Sequence, residues 1–203
     1  MNLAKTQILS GYCARNILHM LEICLATIGV CVFRALTLVG ALFIFGGMVL
    51  EIFSVSFIGH REIHKATDVF KKLDEVVAQL IRGKEYVDFY VGRNGDFDTF
   101  SASAVKRAQK QIRKDNNSLV LVLPYASKDQ QYYEKYYDDI CMPISSNTHY
   151  KSAITKRNQW MVDNSDLVIA YVEKQSGGAY AALKYAQKRG IAVRNIALEK
   201  DDM

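Results

Sequence analysis

The stretch RNQWMVDNSDLVIAYVEKQSGG, Arg157 to Gly178, decides the fold. It reads as the end of a helix, a buried apolar strand and a glycine-paired turn, and the turn feeds a second helix, AYAALKYAQKRG. Strand, glycine turn and helix start in that order make a socket for an anion. The first amides of a helix have no internal partner and carry partial positive charge. The stretch therefore points to a phosphate-bearing ligand rather than to a protein surface.

Working outward, apolar runs alternate with amphipathic helical stretches. SVSFI (54–58) reads as a first strand and ATDVFKKLDEVVAQLIRG (66–83) as a helix, with Val69, Phe70, Leu73, Val76, Val77 and Leu80 recurring at three and four. YVDFYV (86–91) is a second strand, GRNGDFD (92–98) a loop, and a helix is expected from about Thr99 to Lys114. SLVLVLPY (118–125) is a third strand, apolar enough to be covered on both faces. The tyrosine-rich section around Tyr132, Tyr133, Tyr136 and Tyr137 is irregular, with a short helix over 130–138. A helix over 151–164, a strand over 166–172, a helix over 178–189 and a strand over 191–197 complete the pattern. The expected fold class is α/β: a Rossmann-like open sheet of about five mostly parallel strands with flanking helices. Ligands on such sheets sit beyond the carboxyl ends of the strands, where strand order reverses.

Composition supports one folded domain plus an additional segment. Half of the 203 residues are apolar and the formal net charge is +5, with 23 basic against 19 acidic residues after position 53. The densest basic run, KRAQKQIRK (Lys106 to Lys114), reads as the solvated face of an amphipathic helix, so a nucleic-acid partner is not expected. Cys13, Cys24, Cys31 and Cys141 show no C-x-x-C spacing and no partner histidines, so neither a metal site nor a disulfide framework is expected. A reducing compartment fits this usage.

Residues 1–53 form a separate apolar, helical segment, with 54–203 as the α/β domain. From Ile23 to Leu50 the only charge is Arg34. A membrane span over 35–53 leaves Arg34 at one edge but runs directly into the first strand. A span centred on Arg34 leaves a linker, but the mid-bilayer charge costs roughly 2.5–3.5 kcal/mol. A start at Met48 and a helix packed on the domain are the alternatives. If the segment spans, Arg61, Lys65, Lys71 and Lys72 against Lys5 and Arg15 place the α/β domain on the cytoplasmic side of the cell membrane. The sequence leaves a homo-oligomer open.

Four loops following strand ends carry the candidate ligand residues. Gly59, His60 and Arg61 follow the first strand, giving close backbone approach and two donor side chains. Gly92, Arg93, Gly95 and Asp98 lie in the second loop, where Asp98 either caps the next helix or accepts from a ribose. The loop lacks G-x-G-x-x-G, which disfavours a dinucleotide dehydrogenase. Pro124 and Tyr125 end the third strand, and the aromatic either packs or stacks on a base. Ser176, Gly177 and Gly178 present amides, a hydroxyl and a helix dipole, and Arg157 supplies the cation that an exposed dipole alone does not replace. Asp163, Asn164, Ser165 and Asp166 read as capping and turn residues.

FIGHR (57–61), GRNGDFD (92–98), VLPY (122–125), KRNQWMVDNSDLVIA (156–170) and SGGAYAALKYA (176–186) together resemble the SLOG superfamily. This Rossmann-like group joins DprA/Smf and LONELY GUY proteins, and the closest likeness is to its YpsA-like branch of small bacterial domains of unknown function. The resemblance implies a pocket for a nucleotide or nucleotide derivative, serving as a sensor or regulatory module, with no separate cofactor. Two departures stand out. Arg93 replaces a glycine of the branch's G-G-x-x-G-F-D loop, and Asp96 precedes the Phe. Against the LONELY GUY motif P-G-G-x-G-T-x-x-E, Ser176 stands at the proline, Tyr180 and Ala181 at G-T, and Lys184 at the catalytic Glu. Ligand binding is the expectation, with a phosphoribohydrolase-like enzyme cleaving an N-glycosidic bond as the alternative.

Overall fold

The structure is a computed structural model that describes residues 51–199 apart from 65, 128 and 146. Glu51–Met203 forms one compact unit, so the domain opens slightly ahead of the expected boundary at residue 54. The expected membrane-anchoring segment lies outside the described residues, as do Cys13, Cys24 and Cys31. Among the described residues no helix is long and apolar enough to cross a membrane.

Six strands form one sheet in the order β4-β3-β2-β1-β5-β6, and every pairing is parallel. In chain order they are β1 (Ile52–Gly59), β2 (Tyr86–Val91), β3 (Asn117–Val122), β4 (Asp139–Cys141), β5 (Leu167–Tyr171) and β6 (Ala192–Asn195). The helices are α1 (Ala66–Gly83), α2 (Asp96–Gln111), α3 (Gln130–Tyr136), α4 (Tyr150–Asp163) and α5 (Gly177–Arg189). Strand order reverses between β1 and β5, so all the loops named above leave the same, carboxyl edge of the sheet.

The apolar alternation of β2 explains the two-sided packing. Val87, Phe89 and Val91 join Val69, Leu73, Val76 and Val77 of α1 and Phe97 and Val105 of α2 in the main core. Tyr90 points the other way and meets Trp160 of α4 edge-on, with ring centroids 5.7 Å apart. Phe57 stacks on Phe89 at 6.0 Å, and Phe97 on Tyr171 at 5.9 Å. Full burial of such side chains contributes about 1.5–3 kcal/mol each. A smaller cluster of Ile58, Val162, Val168, Ala182 and Ala186 joins β1 and β5 to α4 and α5.

Several boundaries differ from the sequence reading by a few residues, and three differences bear on the site and the sheet. Helix α2 begins at Asp96, not near Thr99, because Asp96 and Asp98 suit the positive end of the helix and Gly95 takes the N-cap position. Strand β3 ends at Val122, which leaves Pro124 and Tyr125 in the loop. The sixth strand, β4, has only three residues, and its pairing to β3 rather than any periodicity defines it. The turn residues before β5 behave as expected. Asn164 Nδ2 donates to Trp160 O at 2.8 Å, Ser165 Oγ to Met161 O at 2.7 Å, and Ser54 N donates to Asp166 Oδ2 at 2.7 Å.

Candidate functional site

Arg157 is the centre of the site. It lies on α4, whose outer turn points its side chain toward the end of β3, and only 5% of its surface is exposed. Its guanidinium is poorly satisfied: Nη1 donates to Val122 O at 3.4 Å and approaches Met161 Sδ at 3.8 Å, while Nε has no partner. Burial holds this guanidinium below its usual range, and attraction to Asp98 and Tyr125 works in the opposite direction. A buried cation with unused donors is costly unless something else completes its shell.

Gly92 is what lets that cation sit there. A Cβ at this position would overlap Arg157 Nη1 and lie 2.6 Å from Asp98 Oδ2. The missing side chain at Gly92 thus makes room for the protein's own Arg157 and Asp98 side chains. No left-handed backbone is involved at Gly92 or Gly95; the described glycines with positive φ are Gly177 and Gly190.

Asp98 is not a side-chain cap of α2, whose N-cap is Gly95; its carboxylate turns back to the loop instead. Its Oδ2 accepts from Asn94 N at 2.8 Å, so the first turn of α2 holds the loop ahead of it. Burial pushes its carboxyl above the ordinary range, opposed by Arg157, by the amides of Asn94 and Gly92, and by Arg61.

Arg93 faces away from Arg157 toward α3. Its Nη1 donates to Ser127 Oγ at 2.8 Å and to Tyr133 Oη at 2.5 Å, and lies 3.5 Å from Asp129 Oδ2. The guanidinium also sits over the Tyr133 ring, 5.4 Å from its centroid. Between these groups lies a small, open-mouthed cleft of about 20 Å³, lined by Arg93, Asn94, Leu123, Pro124, Tyr125, Ser127 and Arg157. Tyr125 is 54% exposed at its mouth, so it is not a packing residue. Tyr125 and Asn94 belong to the site although sequence reasoning left one open and passed over the other. The signal for Asn94 was its position between two glycines.

The first loop joins the others through its backbone. Asp96 N donates to Arg61 O at 2.8 Å, Ile63 N to Asp96 Oδ2 at 3.1 Å, and Gly95 packs on Arg61 Cα. Gly59 faces Phe97, whose ring a Cβ would strike. His60 Nε2 accepts from the backbone N–H groups of Glu173 and Lys174, at 3.1 Å each, which leaves Nδ1–H as the donor the ring can offer. His60 thus bridges the end of β1 to the turn after β5, across the point where strand order reverses.

Ser176, Gly177 and Gly178 are exposed at the start of α5, and they are not part of the cleft lining. Gly177 has φ +86°, a conformation that favours glycine, and the Ser176 hydroxyl makes no capping bond to the helix. Beyond a Cβ at Gly178 no atom lies within 4 Å. One strand separates the end of β2 from the end of β5, a spacing of about 10 Å. The structure therefore brings Gly92, Arg93, Asp98 and Arg157 together, attaches Gly59, His60, Arg61 and Gly95 at the border, and holds the second glycine turn one strand away. That turn is fixed from behind by Asn195, whose Nδ2 donates to Val172 O at 2.9 Å and whose Oδ1 accepts from Val172 N at 3.1 Å.

No family model matches the sequence, and no curated protein matches it. Among solved structures the chain is similar to DNA processing protein A (DprA) from Streptococcus pneumoniae, at 16% identity and a TM-score of 0.54 over 70% of this chain and 49% of that one. It is also similar to DNA processing protein A from Helicobacter pylori, described for its single-stranded DNA binding mode, at 14% identity and a TM-score of 0.51 over 70% and 63% of the two chains. The matched region thus spans about half of the first protein and under two thirds of the second. These likenesses show the fold. It is a Rossmann-like α/β fold similar to that of DprA.

Proposed function

We propose that this domain, of the YpsA-like kind, binds a nucleotide or nucleotide-derived phosphate ligand and serves as a sensor or regulatory module. The observation that carries the proposal is the Arg157 guanidinium, buried at the side of an open cleft with donors unused. A phosphate oxygen would complete its shell with charge-assisted hydrogen bonds. Tyr125 offers an aromatic face beside it for a base. The glycine turn at Ser176–Gly178 lies within reach of a ligand long enough to extend about 10 Å along the sheet edge.

Two features support a small molecule over a nucleic-acid strand. Three basic residues of the run 106–114 are engaged within the chain: Lys106 and Arg107 of α2 pair with Asp138 at 2.8 Å and Asp74 at 2.6 Å, and Arg113 just beyond the helix pairs with Asp115 at 2.7 Å. The buried cation lies at the side of a short cleft rather than along an open groove. Binding is favoured over glycosidic cleavage because Lys184, at the place of the family's catalytic Glu, is an exposed residue of α5, and the nearby Asp98 carboxyl accepts loop amides.

Calorimetry of the full chain with ADP-ribose, NAD, nucleoside monophosphates and a single-stranded oligonucleotide tests the proposal. A nucleotide is expected to bind, and Arg157→Gln to weaken it by about ten- to a hundredfold, the value of a hydrogen bond to a charged group. Absence of binding by every small ligand, or salt-dependent binding of the oligonucleotide alone, would overturn it.

A further inference from the structure

We infer that the paired backbone amides of Glu173 and Lys174 form a second anion subsite, which His60 fills from within the chain and which an oxyanion of the sulfate or phosphate class takes over. Two successive N–H groups converge on one acceptor atom, His60 Nε2, at 3.1 Å each. Successive amides aimed at one point are a recurrent anion-binding arrangement. An imidazole nitrogen is a neutral occupant there. An oxyanion makes charge-assisted bonds, roughly twice as strong as neutral ones.

The surroundings allow the exchange. Residues 173–178 are exposed, and His60 is only half-buried on a surface loop, so the ring can leave without opening the core. The Ser176 hydroxyl is unspent and the start of α5 follows directly, adding partial positive charge on the same side. The charged groups facing the imidazole are Glu173 and Lys174. Lys174 favours an anion. Glu173 opposes one, but the Tyr171 hydroxyl engages its carboxylate.

His60 also makes the subsite acid-gated. To accept at Nε2 the ring must be neutral, and burial holds it below the ordinary histidine value of 6.5. Protonated imidazole has no acceptor, so as pH falls through the folded value both amides are freed and a positive charge is added beside them. The subsite adjoins the glycine turn that the proposed nucleotide reading also uses and rests on that reading to this extent, while the Arg157 cleft lies a strand away.

The test is a sulfate titration of the isotope-labelled full chain at about pH 8, above the ordinary histidine value, and at a pH below the His60 midpoint, which the ring resonances of His60 locate directly. The readout is the Glu173 and Lys174 amide resonances in NMR spectra. Sulfate stays doubly charged throughout, so only the protein titrates. Wild type should show these two amides responding to sulfate about five- to tenfold more tightly at the lower pH, the scale set by exchanging neutral for charge-assisted bonds. His60→Ala should respond at both pH values, because the amides are permanently free. His60→Gln, whose carbonyl can replace Nε2 without titrating, should respond weakly at both. Glu173 and Lys174 amides that ignore sulfate in His60→Ala would overturn the inference, as would a pH dependence that survives in His60→Gln. Loss of nucleotide binding at the Arg157 cleft leaves these amide shifts in place, so the two readings fail separately.

Discussion

Replacing Gly92 by alanine tests the geometry on which the cleft depends. The added methyl would overlap the Arg157 guanidinium and stand 2.6 Å from Asp98 Oδ2, in a position that is fully enclosed. The backbone at Gly92 is not left-handed, so the entire effect comes from crowding. Overpacking of this kind costs about 1–3 kcal/mol, and each kcal/mol moves Tm by about 2–4 °C in a chain of this size. Denaturant unfolding of Gly92→Ala, Arg157→Ala and the double variant separates the cause. With the guanidinium gone only Asp98 Oδ2 still crowds the methyl, so the substitution should cost less in the Arg157→Ala background. A coupling of about 0.5–3 kcal/mol is expected for residues in contact. Additive costs would refute the reasoning, since they would mean that the methyl and the guanidinium do not compete for the same space.

Gly59→Ala drives a Cβ into the fully buried Phe97 ring, and should destabilise by about 1–3 kcal/mol in the same assay. Gly178→Val meets open space, so stability should stay within about 0.5 kcal/mol of wild type. Its ligand affinity, measured by calorimetry, should fall for a ligand that reaches the second turn. The Asp98 carboxyl is raised by burial above 3.8, so its contribution to stability is complete below that pH and is lost as pH rises through the folded value. Asp98→Asn keeps an acceptor for Asn94 and should be at least as stable as wild type at about pH 7, with the difference vanishing in acid. For His60 the sign is opposite. Its folded value lies below 6.5, so the stabilisation is present above 6.5 and is lost as pH falls through the folded value. The denaturant midpoint of wild type relative to His60→Gln should drop over that window.

Much of the sheet was legible because its strands are covered on both faces and read as unbroken apolar runs. YVDFYV and the α1 stripe occupy the same residues in the sequence reading and in the structure. Strand β4 was hidden because a three-residue segment is too short to show alternation, and its existence depends on a neighbour, β3, far away in the chain. Arg157 was legible as the cation. That it lies buried beside Asp98 was not, since only the fold puts the end of β3, the second loop and α4 together. The two glycine turns read as one gathering point, yet the structure sets a strand's width and a histidine bridge between them. That outcome depends on where β1 inserts in the sheet, which no local pattern encodes. The accepting role of His60 Nε2 was hidden for a related reason. A side chain with one donor and one acceptor reveals which it uses only when its partner is known.

Asn195 has a mechanical consequence. By staking both polar atoms of Val172 it fixes the rear end of the segment that precedes α5, while the helix anchors the front. Only residues 173–176 remain between the two stakes, a tether with a contour of about 13–14 Å. Whatever the segment grips, its travel is short, and the displaced imidazole of His60 swings outward from the rim on the opposite bank. A partner protein reading occupancy would then watch the histidine rather than the ribbon that seized the guest.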